Sequence, residues 1–284
     1  MIYIGLTGWG DHYSIYTGNV KPKNKLVEYS SHFPVVEVDT AFYAIQPEKN
    51  VKKWVADTPD NFRFIVKAYQ GMTGHQRRDD QPFDSVKEMF TVYKKSLKPY
   101  IQAGKLACVL FQFPPWFTCK KENVNYLRYC KKMMDDLPVA LEFRNQSWFS
   151  EKYRESTLQF MKEEGWIHSI VDEPQAGSNS IPTVPVVTNA EKTMIRMHGR
   201  NVHGWNKPNS ADTNWREVRY LYDYNQIELM EWKNRMIELE KETKELFIVF
   251  NNNSGGHAAG NAKELQEMLG ITYEGLSPKQ LGFF

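Results

Sequence analysis

Cysteine is scarce in this chain: Cys108, Cys119 and Cys130 are its three, spaced eleven residues apart. An odd number at that spacing fits neither a disulfide framework nor the close cysteine pairs of a zinc site, so ordinary reduced thiols are expected. Charge of one sign is lacking as well. Lys+Arg total 36 against Asp+Glu 34, which removes any overall field toward nucleic acid or an anionic membrane and leaves anion preference a local matter. No run of about 18 apolar residues occurs. The opening MIYIGLTGWG lacks the basic region, long apolar stretch and small-residue cleavage site of a secretory signal. A soluble, cytoplasmic protein without a membrane partner is expected, and composition does not address its oligomeric state. Also missing are a His-Glu-x-x-His helix, a Gly-x-Ser-x-Gly elbow and a Gly-x-Gly-x-x-Gly turn after the first strand. These absences argue against a zincin, a serine hydrolase and a dinucleotide-binding sheet.

What is present is a repeat of strand followed by helix. Eight β-branched or aromatic runs read as strands over 2–9, 35–43, 62–68, 105–113, 139–144, 167–172, 193–199 and 246–252. Amphipathic segments at 25–32, 48–57, 84–101, 121–135, 150–164, 225–242 and 261–269 read as helices, with Ser150 as an N-cap signal for the fifth. Nearly all-apolar strands joined by helices imply parallel pairing with both faces covered. Eight units in 284 residues predict an α/β fold, a (β/α)8 TIM barrel forming a single domain over 1–284, ahead of a doubly wound open sheet. The helix after strand six is expected to be irregular or missing, because 173–189 is rich in Pro, Ser and Asn. A second long loop, 199–224, follows strand seven. Loops of this length in a compact domain are usually functional.

Strand alternation turns this pattern into a site. In VVEVD, Val36 and Val38 share one face and Glu37 and Asp39 the other; Leu141 and Phe143 likewise oppose Glu142 and Arg144, and Ile195 and Met197 oppose Arg196 and His198. If the apolar members face the helices, the polar ones point into the barrel at the carboxyl ends of the strands, where barrel enzymes build active sites. Lys67, Gln112, Asp172 and Asn251 extend that ring. A structural salt-bridge network is the alternative reading of the same charges. Past strand eight, NNNSGGHAAGNAKEL leads from Asn251 and Asn252 through a glycine turn and His257 into a helix, a candidate anion cradle beside Arg196 and Arg200. Tyr43, Trp148, Trp9, Trp116 and Trp205 stand near strand ends, where aromatic faces could stack on a ring.

Six blocks, GLTGW, EVDTAFY, FQFPP, LEFRNQSW, RMHGRN and FNNN with its Gly-Ala loop, resemble the signature blocks of the YecE-like family, a domain of unknown function. The resemblance covers essentially the whole chain. It implies a TIM barrel with these blocks gathered at its mouth, and it brings no settled reaction. Glu37, Phe42, Tyr43, Glu142, Arg144, Trp148, Arg196, His198, Gly199, Arg200, Asn201, Asn251 and Asn252 match positions of those blocks, whereas Asp39 departs from the pattern.

Three functions compete. The first is an enzyme of hydrolase or isomerase type acting on a small phosphorylated or carboxylated, sugar-like substrate. Glu37 and Glu142 would be the acid/base pair with His198 as a further candidate, Arg144, Arg196 and Arg200 the anion clamp, and Trp148 the ring platform. No cofactor is required on this reading. The second is a metal-dependent phosphodiester hydrolase on nucleic acid, holding Mg2+, Mn2+ or Zn2+ with Glu37, Asp39, Glu142, Asp172, His198 and His257; HQRR at 75–78 and CKK at 119–121 are its local basic hints. The third is a non-catalytic ligand-binding barrel.

Overall fold

The computed structural model describes residues 1–16, 20–76, 82–177, 180–205 and 215–278. Eight strands, β1 (Ile2–Thr7), β2 (Val35–Val38), β3 (Arg63–Lys67), β4 (Leu106–Gln112), β5 (Val139–Glu142), β6 (Ile167–Asp172), β7 (Lys192–Met197) and β8 (Glu245–Phe250), close into a barrel in sequence order. Every neighbouring pair is parallel, and β8 returns to β1 with Ile2 opposite Leu246. The barrel expected from the sequence is thus the fold. Helices α1 (Lys25–Tyr29), α2 (Thr40–Tyr43), α3 (Glu48–Ala56), α4 (Val86–Gln102), α5 (Lys121–Met133), α6 (Arg154–Glu163), α7 (Val202–Trp205), α8 (Trp215–Arg219), α9 (Gln226–Glu240) and α10 (His257–Met268) make up the connections. Among the described residues none is long and apolar enough to cross a membrane.

The alternation of each strand splits the core in two. Outward residues such as Ile4, Val36, Val66, Val109, Leu141, Ile170, Ile195 and Ile248 pack with the helices. Inward residues Tyr3, Val35, Ile65, Cys108, Leu110, Ala140, Ile167, Met194, Phe247 and Val249 form a separate apolar plug. Two residues further along most strands the inward face turns polar, because period two carries Val35 to Glu37, Ile65 to Lys67, Leu110 to Gln112, Ala140 to Glu142, Met194 to Arg196 and Val249 to Asn251. The polar layer therefore lies on the apolar plug at the carboxyl end of the barrel.

Helix starts follow local chemistry. Ser85 Oγ accepts from Glu88 N at 3.1 Å and the Glu88 carboxylate accepts from Asp84 N at 2.8 Å; Asn225 and Glu228 form a full capping box on α9. Ser150 does not cap α6. Its hydroxyl donates to Ser147 O at 2.9 Å, within the 3-10 turn Gln146–Phe149, and the helix starts four residues later. No helix follows β6 among the described residues, and the loop after β7 carries α7 and α8. Arg77 and Arg78 of the basic hint, residues 178–179 and residues 206–214 of the two long loops lie outside the described residues.

Gly5 is a close-approach position. A Cβ there would sit 2.0 Å from Val35 O, across the β1–β2 pairing. Gly5→Ala is expected to cost about 1–3 kcal/mol by forcing those strands apart. Urea unfolding of the variant would show this as a lowered midpoint; an unchanged midpoint would mean that the two backbones are not held at this spacing.

Candidate functional site at the barrel mouth

Arg196, on the inward face of β7, organises the polar layer. Its Nε and Nη2 donate to Glu37 Oε2 and Oε1 at 2.9 and 2.7 Å, while Nη1 donates to Glu142 Oε2 at 2.8 Å and Gln112 Oε1 at 3.1 Å. Glu142 Oε2 also accepts from Ser169 Oγ at 3.2 Å. Its Oε1 stands 2.7 Å from Arg144 Nε, an ionic contact without hydrogen-bond alignment. Arg144 then donates through Nη1 to Glu173 Oε2 at 2.6 Å and through Nη2 to His198 Nε2 at 2.9 Å. Since a guanidinium can only donate, Nε2 accepts from Arg144, while Nδ1 lies 2.8 Å from the Asn251 amide nitrogen.

Burial and charge act against each other in this layer. Glu37, Glu142 and His198 are all 0% exposed. Burial works to raise the Glu142 carboxyl, yet Arg196 and Arg144 outweigh it and hold Glu142 well below the usual carboxylate range. Burial pushes Glu37 up against Arg196 and Lys67. For His198, burial and then Arg144 and Arg196 all lower the pKa, so the ring is neutral. Burial would lower Arg196, but Glu142 and Glu37 raise it instead.

Above this sealed layer opens a cavity of about 490 Å³, with Lys67, Gln112, Arg144, Arg196 and Asn251 among its lining. Asp39 is its one carboxylate among the described residues, with about a third of its side chain exposed, and its Oδ1 accepts from Lys67 Nζ at 2.8 Å. Burial pushes the Asp39 carboxyl up, but Lys67 more than compensates and leaves it below its ordinary value. Along one side run Tyr43, Phe42, His75 and Trp116, each ring meeting the next edge-on at 5.2, 5.0 and 5.8 Å. Burial and the nearby Lys67 and Arg144 lower His75 to about 4, so it too is neutral. Trp215, Arg219 and Tyr220 complete the lining. The Arg219 guanidinium lies 4.0 Å from the Trp205 ring centroid and 4.8 Å from that of Trp215. Its Nε is buried without a hydrogen-bond partner, and burial lowers its pKa. Among the described residues Arg219 makes no salt bridge.

Several expectations from the sequence need correction. Glu37, Glu142 and His198 are not open to a substrate; they position Arg196 and Arg144, which do line the cavity. Asp172 does not join the ring. It shares parity with the outward Ile170, and its carboxylate holds Arg200 Nε at 3.0 and 2.9 Å on the helix side of the barrel. Arg200 also meets Glu231 at 3.3 Å and Glu228 at 3.5 Å, so its charge is already answered. Arg200 and His257 line a separate, open pocket with Asp223, where His257 Nδ1 is 3.3 Å from Asp223 Oδ2. Asn252 is buried and spends its amide nitrogen on Tyr222 O and Asn261 Oδ1. Trp148 stacks between Phe143 and Phe117 at 4.1 and 5.7 Å and donates to Phe117 O, as part of the core. Of the six donors proposed for a metal, Asp172 and His257 thus stand apart from the layer, and Glu37 and Glu142 are occupied by arginines. No three His, Cys, Asp or Glu side chains among the described residues form a metal cradle. His75, Glu173, Trp215, Arg219 and Tyr220 were missed. They lie past strand ends, where alternation gives no guidance, although His75 heads the HQRR stretch. A larger cavity of about 610 Å³, around Met1, Tyr3 and Tyr273, lies at the opposite end of the barrel from this cluster.

A family model described as "Protein of unknown function DUF72" matches residues 3–281. UPF0759 protein YunF of Bacillus subtilis (strain 168) is 62% identical over 284 residues, the full length of both chains. UPF0759 protein YecE of Escherichia coli (strain K12) is 28% identical over 158 residues, 56% of this chain and 54% of that protein. Among solved structures, a DUF72 family protein of Enterococcus faecalis V583 superposes with a TM-score of 0.92 at 42% identity, covering 99% of this chain and 100% of the other. A DUF72 family protein of Thermotoga maritima MSB8 gives 0.81 at 28% identity, covering 95% and 100%.

Glu173 gives the layer a pH signature. Burial pushes its carboxyl up to about 7 despite Arg144. Between the ordinary carboxylate range and about 7, the folded chain keeps a proton that the unfolded chain has lost, so the contribution of this group to stability falls as pH rises through that window. Glu142, held low, works in the opposite sense: its contribution is intact above the ordinary carboxylate range and is lost as pH falls below it. Glu173→Gln is neutral at every pH, so its stability relative to the parent is expected to improve between about pH 5 and about pH 8. Urea midpoints at the two values check this; an equal gap at both would mean that Glu173 is charged throughout.

Proposed function

Because the chain belongs to the DUF72 family and its barrel opens on a cation-rich cavity, we propose that it is an enzyme acting there on a small anionic, sugar-like substrate that is phosphorylated or carboxylated. The observation that carries this reading is Arg219. Its guanidinium is largely desolvated, lies against aromatic rings, has no carboxylate partner among the described residues and faces the cavity. A buried donor without a partner is costly, by about 1–3 kcal/mol, and an anion with several oxygens relieves that cost. Arg144 and Arg196 add charge from below, fixed in place by Glu37, Glu142 and Glu173. Tyr43, Phe42, His75 and Trp116 offer ring faces and edges to the rest of the substrate.

Acid/base work on this reading passes from the sealed carboxylates to Asp39, which is ionised and partly exposed, and to Lys67 beside it. Sealing of Glu37 and Glu142 by arginine is what favours the non-catalytic alternative, while the open cavity with its own carboxylate favours an enzyme. The nucleic-acid hydrolase is the less favoured alternative, because Asp172 and His257 stand apart from Glu37, Glu142 and His198 and the two glutamates are taken up by arginines. A cytoplasmic setting belongs to the same proposal and draws on the three unpaired thiols.

Arg219→Ala is expected to weaken binding of inorganic phosphate and glucose 6-phosphate by about tenfold or more, the scale of one hydrogen bond to a charged group. Arg200→Ala should leave both affinities within about twofold, because Arg200 is already neutralised by acidic neighbours. Calorimetric titration of the two variants decides the matter. Loss of affinity on Arg200→Ala with none on Arg219→Ala would move the anion site to the pocket after β7 and β8.

A further inference from the structure

Lys67 combines features that a role in charge balance does not require. It ends β3 on the inward face, where it is the lysine among the described residues lining the cavity. Its side chain is 11% exposed, its Nζ lies 4.7 Å over the Phe42 ring, and its hydrogen bond goes to a single atom, Asp39 Oδ1. Arg144, Arg196 and Arg219 share the cavity, and guanidinium groups do not give up a proton in proteins. Lysine can, and a neutral amine is a nucleophile. Asp39 is placed to take that proton and to return it. Gln112 adds a further element: its Oε1 is held by Arg196, while its amide nitrogen has no partner among the described residues and belongs to the same cavity. That leaves an N–H donor available for an oxygen that develops charge.

We propose that Lys67 is a covalent amine catalyst that forms an imine with an aldehyde or ketone bearing a phosphate or carboxylate group. The proposal rests on the anion-binding reading above and narrows its substrate to carbonyl compounds. The ammonium of Lys67 passes a proton to the Asp39 carboxylate. The freed Nζ lone pair attacks the carbonyl carbon, a C–N bond forms, the C=O π bond breaks onto oxygen, and a proton moves from nitrogen to that oxygen to give a carbinolamine. Asp39 then returns its proton to the hydroxyl, the C–O bond breaks, and water leaves. The product is a protonated imine, with Asp39 again ionised. Nitrogen is cationic at the start and at the end and neutral in the amine and the carbinolamine, while Asp39 carries the proton in between, so the mouth ends with the charge it started with.

The experiment incubates the whole protein with sodium cyanoborohydride and one of three probes: dihydroxyacetone phosphate, pyruvate or uncharged dihydroxyacetone. Hydride reduction turns any imine into a stable secondary amine. Intact mass and peptide mapping then locate it on the unaltered chain, so the result does not depend on how a variant folds. The expected result is a single adduct on Lys67, formed at least about tenfold faster with an anionic probe than with dihydroxyacetone, and slowed by inorganic phosphate. Calorimetric phosphate titration runs alongside. Phosphate binding without an adduct on Lys67 overturns the imine proposal and leaves the anion reading standing. An adduct on Lys67 that is equally fast with the uncharged probe, with no phosphate binding, overturns the anion reading. Modification spread over surface lysines, with none favoured, overturns the imine proposal as well.

Discussion

Arg196 carries its guanidinium into the barrel, and most of the upper structure depends on how it is held there. Two carboxylates and an amide take four of its hydrogen bonds, and through Glu142 the same charge is tied to Arg144, Glu173 and His198. Removing one member of such a set strands the others in a medium of low polarity, at about 3–5 kcal/mol. A layer so constrained is rigid, and rigidity suits a floor better than it suits a reacting group. Carboxylates locked between arginines cannot easily exchange protons with a substrate, whereas the arginines they hold present fixed charge upward.

That division separates positioning from chemistry along the barrel axis. The apolar plug of Val35, Ile65, Leu110 and Met194 supports the charged layer from below. The charged layer sets Arg144 and Arg196 at the base of the cavity. Above it, Asp39, Lys67, His75 and Arg219 have the exposure or, among the described residues, the lack of partners that a ligand needs. Loops after β2, β3, β4 and β7 supply most of this upper ring, in keeping with barrels whose scaffold is strand-built and whose specificity is loop-built.

The alternation that made the site legible in the sequence also marks where legibility ends. Val36 and Val38 against Glu37, and Ile195 and Met197 against Arg196 and His198, assign inward and outward faces correctly because these residues lie within regular strands or, for His198, one residue past the end of β7 with its backbone still paired to Asp172. Asp172 resembles a ring member by position alone; its parity with Ile170 already pointed outward. Trp148 reads as a surface platform in a one-dimensional list, yet its neighbours Phe117 and Phe143 enclose it, and Phe117 is distant in sequence. Arg219 ends the short helix α8, and Tyr220 and His75 sit on loops, all past strand ends with no strand period to read, so their convergence on one cavity follows only from chain closure. Whether an inward carboxylate is open or sealed depends on how far each arginine reaches across the barrel, which spacing along a strand does not encode.

The most direct measurement is an electron-density map of crystals grown with phosphate, read at the barrel mouth. A tetrahedral anion is expected in contact with Arg219 and with Arg144 or Arg196, above an intact bridge from Arg196 to Glu37 and Glu142. An anion seated instead beside Arg200 and His257, with the mouth empty, or an Arg196 released from its two carboxylates, would contradict it.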